Sequence, residues 1–254
     1  MMKNDGQIKL LIGIDDTDNA ISRGTGYHAR QLGHALEESG LGKVHGITRH
    51  QLYVHPKIRY TSQNSSACLN ISTALPEEVR GYCAEYLLDQ SAPGSDAGLC
   101  IARAEEVSNE IITWGLNAKD QVLHMPEAIN LASEEGIYLQ GFTGNHEGII
   151  GAMAAVGLQA GGNDGRYIWR KGIKELREME AGILSARQLK EELSLDEIAS
   201  LQGESPTDDE RILINDWVRP LLKNHKTILI TQRTQNQDDY EWELTGKETI
   251  RSIS

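Results

Sequence analysis

Three carboxylates fall within four residues, Asp15, Asp16 and Asp18, in the run Gly13-Ile14-Asp15-Asp16-Thr17-Asp18. So close together they repel one another unless a cation or hydrogen bonds compensate. Mg2+ prefers a few carboxylates completed by phosphate oxygens. In an extended segment Asp16 and Asp18 point to one side and Asp15 to the other, which nominates Asp16 and Asp18 as metal ligands. The competing reading is a polar turn that caps the next helix, since Asp and Thr suit both places. A second run, Ser22-Arg23-Gly24-Thr25-Gly26, sets a threonine between glycines at the start of a helix. Glycines let backbone N–H groups approach an anion, and a helix N-terminus favours negative charge, so Thr25 could hold or accept a phosphate. A plain N-cap threonine explains the same residues. A third run extends from Gly141 to Ala152 and carries Gly144, Asn145, Gly148 and Gly151 into a helix of small residues. It is either a phosphate cradle, without the GK[ST] of a Walker A loop, or a device for close packing. The loop from His50 to Ser66 is long, polar and locally basic, with Arg59, Tyr60, Thr61, Asn64 and Ser65 as candidate substrate contacts and Lys57 as a further source of positive charge.

These groups need a frame. Residues 8–14 read as a buried strand that delivers the acids at its end, and 24–39 as a helix closed by Gly40. Residues 43–49 and 66–73 read as strands, 75–90 as a helix with Pro76 in its first turn, and 98–103 as a strand. The order β-α-β-β-α-β is the ferredoxin-like pattern, so the fold class is α+β. Helices over 104–114 and 126–134, then the glycine-rich run and a strand near 162–169, suggest a second α+β lobe. The domains are therefore 1–170, with lobes 1–103 and 104–170, and a small C-terminal helical and β-hairpin segment, 171–254. There 172–182, 185–193, 195–201 and 207–218 read as short amphipathic helices, and the stretch from Lys226 to Leu244 as the hairpin.

The 254 residues are 39% hydrophobic and 24% charged, which excludes a wholly disordered chain. No run approaches the roughly 18 apolar residues that span a bilayer, and MMKNDGQIKLL lacks a signal-peptide apolar region, so a cytoplasmic protein without membrane partners is expected. Cys68, Cys83 and Cys100 form no CxxC pair, which excludes a zinc ribbon. The net charge of −12 is wrong for non-specific nucleic-acid binding. It is uneven, +2 over residues 1–70 and −8 over 175–216, so the first third suits an anionic ligand.

Together these stretches resemble the archaeal tRNA-Ile agmatidine synthetase family over roughly residues 8–170. Asp15, Asp16 and Asp18 match its acids, Arg23-Gly24 its Arg-Gly, Thr25 its phosphorylatable threonine, and Tyr27 its tyrosine. Arg49, Pro56, Tyr60, Thr61 and Asn64 look like its central loop. Gly144-Asn145 and the segment from Gly148 to Gly157 are similar to its glycine-rich segment. The resemblance implies ATP cleavage to AMP and pyrophosphate, activation of a cytidine carbonyl oxygen in tRNA, and its displacement by agmatine. It also implies an acid cluster that handles ATP and Mg2+. The departures are Gly26 for the family's second threonine, Asn19 after the acids, His146-Glu147, no zinc ribbon, and a C-terminal segment that does not read as an OB-fold.

The expected function is a Mg-ATP-dependent, ligase- or kinase-like enzyme. It would activate a small carbonyl or amide substrate by phosphoryl or nucleotidyl transfer, for condensation with an amine. Asp15, Asp16, Asp18 and Thr25 would be catalytic, while Arg23, Gly24, Gly144, Asn145, Gly148 and Gly151 would bind nucleotide. The charge argues against this chain holding tRNA by itself, and a homo-oligomer is compatible with the sequence. The rival readings are a nucleotide-binding regulator without turnover and a tRNA-modifying enzyme paired with a separate RNA-binding chain.

Overall fold

The structure, a computed structural model, describes residues 6–61, 63–170, 176, 179–215, 217–235 and 239–254. The chain divides into two compact units, Met1–Gly161 and Gly162–Ser254. The break precedes the one read at 170/171, because Arg166 pairs with Leu221 and so joins the later strands.

The first unit runs β1 (Ile8–Asp15), α1 (Thr25–Glu38), β2 (Lys43–Gln51), β3 (Ser65–Thr73), α2 (Pro76–Gln90), β4 (Gly98–Arg103), α3 (Asn109–Asn117), α4 (Met125–Glu134), β5 (Tyr138–Gly141) and α5 (Ile149–Gly161). Its sheet has the order β5-β4-β1-β3-β2, and every pairing is antiparallel. The first four strands and two helices make the ferredoxin-like βαββαβ fold, in which the split connection puts β1 at the centre of the sheet. Apolar runs with β-branched members suit a strand buried on both faces. In β1, Leu10 to Ile14 are accordingly all buried.

Period-two alternation sorts the two faces. Helix α1 packs on β2 and β3, where Gly33 faces Ile47 and Leu69, and α2 packs on β4. Pro76 at the first turn of α2, followed by Glu77 and Glu78, supplies a pre-set φ and the right charge for the helix dipole. On the other face Leu11, Cys68, Cys100 and Ala102 join Ile111, Met153 and Val156 in one core under α3 and α5. Helix α5 approaches β1 so closely that a Cβ at Gly13 would fall onto the Ala152 carbonyl. Residues 104–161 are thus no separate lobe: α3 and α5 cover the sheet's second face, and β5 extends its edge. The helix read over 104–114 is a 3-10 turn at Ala104–Glu106 followed by α3.

The second unit runs β6 (Arg166–Arg170), β7 (Gly182–Ser185), α6 (Ala186–Leu193), β8 (Glu197–Ala199), β9 (Arg211–Ile214), β10 (Leu221–Lys223), β11 (Lys226–Arg233), β12 (Trp242–Leu244) and α7 (Lys247–Ser252). The expected hairpin is present as β11 and β12. Helix α6 matches the reading over 185–193, with a Ser185–Gln188 capping box. The helices read over 195–201 and 207–218 are instead strands: β8 runs parallel to β11, and β9 lies between β12 and β7. Their inward residues, Ile198, Ile212 and Ile214, reach a core around Trp242. Pairing with these partners overrides the weak local preference. Among the described residues this unit is built mainly of strands. The helix read over 172–182 lies largely outside them.

Candidate functional site

Strand β1 ends at Asp15 beside the start of α5, and the chain then turns at Asp16, which holds a left-handed φ of 49°. Beside this turn a cleft of about 380 Å³ opens, wholly within the first unit. Asp15, Asp16, Asp18, Thr25, Glu147, Gly148 and Gly151 line its polar end. Lys57, Arg59, Tyr60, Thr61, Asn64 and Ser65 line it from the loop between β2 and β3. Leu52, Val122, Leu123, Met125 and Ile150 give it an apolar wall. Both sign and polarity therefore change across one cavity, as in sites that orient a ligand with a charged tail and a flat apolar head.

The three acids stand in different environments. The Asp15 carboxylate is buried against Gly151, where a Cβ would fall onto its Oδ2, and its Oδ1 accepts the Asp16 N–H at 2.8 Å. Burial, reinforced by the neighbouring charge of Asp16, pushes its pKa up to about 8. Burial also raises Asp16, to about 6, with Asp96 adding repulsion and Arg59 partly offsetting it. Asp18 is tied down: its Oδ1 accepts the Thr25 N–H at 3.1 Å and the Thr25 hydroxyl at 3.0 Å, and its Oδ2 accepts the Thr61 hydroxyl at 2.7 Å. The first amide of α1 is thereby capped by the chain's own carboxylate.

The amides leading into α5 are also occupied. Gly144 has φ 55°, and a Cβ there would fall onto Asp96 Oδ1. That oxygen accepts the Asn145 N–H, and the Asp96 carbonyl accepts the Gly148 N–H at 2.9 Å. The Thr143 hydroxyl accepts the Ala97 N–H at 2.8 Å. Arg59 donates from Nη1 to Asp96 Oδ2 at 2.8 Å and from Nη2 to the Gly94 carbonyl at 2.6 Å.

Of the residues nominated from sequence, the cleft gathers Asp15, Asp16, Asp18, Thr25, Arg59, Tyr60, Thr61, Asn64, Ser65, Gly148 and Gly151. It does not gather Arg23, which lies over the Tyr27 ring, or Gly24, the N-cap of α1, or Gly144 and Asn145, which hold Asp96. Sequence reasoning passed over Glu147 and the wall between α3 and α4, which line the cleft, and Asp96, which holds Arg59 from behind. Asp96 is an isolated acid in a Gly-Ser-Asp-Ala loop and carries no spacing signal; the wall is an ordinary helix connection. Glu147 had a signal, an acid at the mouth of the glycine-rich run. Among the described residues no group of three or more His, Cys, Asp or Glu side chains converges as a ready-made metal cage. No helix described is long and apolar enough to cross a membrane.

No family model matches the chain. The chain is 30% identical over 155 residues to an uncharacterized protein of Methanocaldococcus jannaschii, a match covering 59% of this chain and 50% of the relative. Two solved structures match 59% of this chain and 36% of theirs, each with a TM-score of 0.53 and 25% identity. They are a tRNA fluorescent labeling enzyme and the complex of TiaS, a tRNA-Ile agmatidine synthetase, with its isoleucine tRNA and ATP. A TiaS complex with the same tRNA, AMPCPP and agmatine matches over 97% of this chain and 55% of that one at 17% identity and a TM-score of 0.53, which shows the fold alone. The chain therefore resembles part of the tRNA-Ile agmatidine synthetase family, and spans half the length of the curated relative and about a third of the first two solved chains.

Proposed function

We propose that the first unit's cleft binds ATP with Mg2+ and uses it to activate the carbonyl or amide oxygen of an acceptor, which an amine then displaces. The observation that carries this reading is the convergence of Asp15, Asp16 and Asp18 with Arg59 and Lys57 on one cavity that also has an apolar wall. The donor set fits the group. Mg2+ takes one or two carboxylates and fills its octahedron with phosphate oxygens and water, so the lack of a protein cage is no obstacle. Burial and, after it, neighbouring carboxylates raise Asp15 and Asp16, and a cation would favour their charged forms. The 25% match to an ATP complex of TiaS over 59% of this chain supports the same assignment.

Bound Mg-ATP supplies the phosphoryl or nucleotidyl group that makes the acceptor oxygen a good leaving group. The chain's residues do the rest. Asp16 and Asp18 hold the cation. Asp18 is orienting as well as ligating: Oδ1 already accepts two hydrogen bonds, whereas Oδ2 accepts one and keeps a lone pair for the cation. Arg59 and Lys57 bring positive charge to the phosphates, which favours charge spreading in the transition state. Asp15, which burial holds at a raised pKa of about 8 while no cation is bound, faces the base of the cleft. The wall from Leu52 to Met125 keeps water from the activated acceptor. Thr25, its hydroxyl held by Asp18, is a phosphate-binding or phosphate-accepting group.

A second reading, favoured by the tRNA in the matched TiaS complex, makes the acceptor a tRNA base. The charge of −8 over residues 175–216 weighs against this chain gripping RNA unaided. Labelled ATP with Mg2+, a panel of amines and carbonyl compounds, and separately tRNA, decides between them by product analysis. AMP and pyrophosphate released with a small acceptor supports the first reading; release stimulated only by tRNA, and suppressed by salt, supports the second. Nucleotide binding without turnover under every condition would reassign the cleft to a sensor.

A further inference from the structure

Asp96 stands behind the cleft-lining Arg59, outside every motif, with a side chain 1% exposed. It sits in the loop before β4. Each of its polar atoms serves a different element: Oδ1 accepts the Asn145 N–H of the glycine-rich run, Oδ2 accepts from Arg59, and the carbonyl accepts the Gly148 N–H at the start of α5. The run is fastened to this loop on both flanks, by Phe142 N–H to the Ala97 carbonyl at 2.8 Å and by the Ser95–Thr143 hydroxyl pair at 3.0 Å. Arg59, with a side chain 60% exposed, has a flexible stem and no fixed direction of its own. Two of its nitrogens are nonetheless pinned, one by Asp96 and one by the Gly94 carbonyl. A surface ion pair is weak when both partners are solvated, but here one partner is buried and has no water to fall back on.

We propose that Asp96 is a positioning residue of the nucleotide site, holding Arg59 and the start of α5 in one fixed relation, so that a triphosphate meets a pre-oriented guanidinium rather than a mobile one. The inference rests on the nucleotide reading of the cleft. It adds that the affinity contributed by Arg59 depends on Asp96, which itself touches no ligand. The two oxygens divide the work, and this makes the role separable from a structural one. Asn at position 96 keeps an acceptor for the Asn145 N–H but turns an N–H group toward Arg59, donor against donor. Ala removes both functions.

The test is a double-mutant cycle on the full chain, reading the Kd of a non-hydrolysable ATP analogue with Mg2+, alongside hydrogen exchange at the Asn145 and Gly148 amides. Arg59→Gln is expected to weaken binding about tenfold or more, the scale of a lost charge-assisted hydrogen bond. Asp96→Asn should weaken it by a similar factor while leaving amide protection near that of the unmutated protein, and the double variant should be no weaker than either single one. Asp96→Ala should lose both binding and protection. Losses that multiply in the double variant, or unchanged binding in Asp96→Asn, would overturn the inference while leaving the nucleotide reading intact. Absence of any binding by the unmutated protein would overturn both.

Discussion

Two helices begin beside the acid cluster after glycine-bearing turns, and in sequence they look alike. At α1 the glycine is incidental: the nearest atom to a Cβ at Gly24 is Asp18 Oδ2 at 4.0 Å, and the helix is capped by the chain's own Asp18. At α5 the glycines are obligatory: Gly144 yields to Asp96, and Gly151 to Asp15. At both starts amides are already taken by the chain itself, Thr25 N–H by Asp18 and the Asn145 and Gly148 N–H groups by Asp96. The lesson is that glycines before a helix can serve the approach of a carboxylate as well as that of a phosphate. The cationic groups that do line the cleft are side chains, Arg59 and Lys57.

The comparison can be broken in several ways. The largest effect is expected from Gly151→Ala, whose Cβ would fall onto the buried Asp15 carboxylate. A loss of about 3 kcal/mol in denaturant unfolding is expected there, against a change within about 0.5 kcal/mol for Gly24→Ala. Equal effects would erase the distinction between the two helix starts. Next is Asp15→Asn. The folded carboxyl titrates near 8 and the unfolded one near 3.8, so the wild type loses stability as pH rises between those values. The Asn variant, which keeps an acceptor for the Asp16 N–H, should therefore have the higher Tm at pH 8, with the gap closing toward pH 4. A gap that does not depend on pH would show that Asp15 is not held neutral. The smallest effect is at α1: Thr25→Ala should cost about 1 kcal/mol as a lost cap contact, with Thr25→Ser recovering most of it. No loss would mean that the hydroxyl bond adds nothing to the Thr25 amide bond to Asp18, which survives the substitution.

The first unit was legible because its signals are long. Residues 8–14 are a continuous apolar run ending in acids, and Pro76 with two glutamates marks the start of α2. In the second unit α6 and the β11–β12 hairpin were legible, but β8 and β9, three and four residues long, were not. Over such lengths inward Ile198, or Ile212 and Ile214, fit a helical stripe as well as an alternation, and only pairing with β11 or β12 decides. The site divides in the same way. The acids, Thr25 and the loop from Arg59 to Ser65 announce themselves by clustering. Asp96 carries no spacing signal, and the Gly144-Asn145 backbone nominated for phosphate packs against its carboxylate.

The central claim is that this cleft takes Mg-ATP, and calorimetric titration of the full chain with ATP tests it most directly, with and without Mg2+ and with Asp16→Asn in parallel. We expect saturable one-to-one binding that requires Mg2+ and weakens at least about tenfold in Asp16→Asn. No saturable binding, or binding indifferent to both the metal and Asp16, would contradict it.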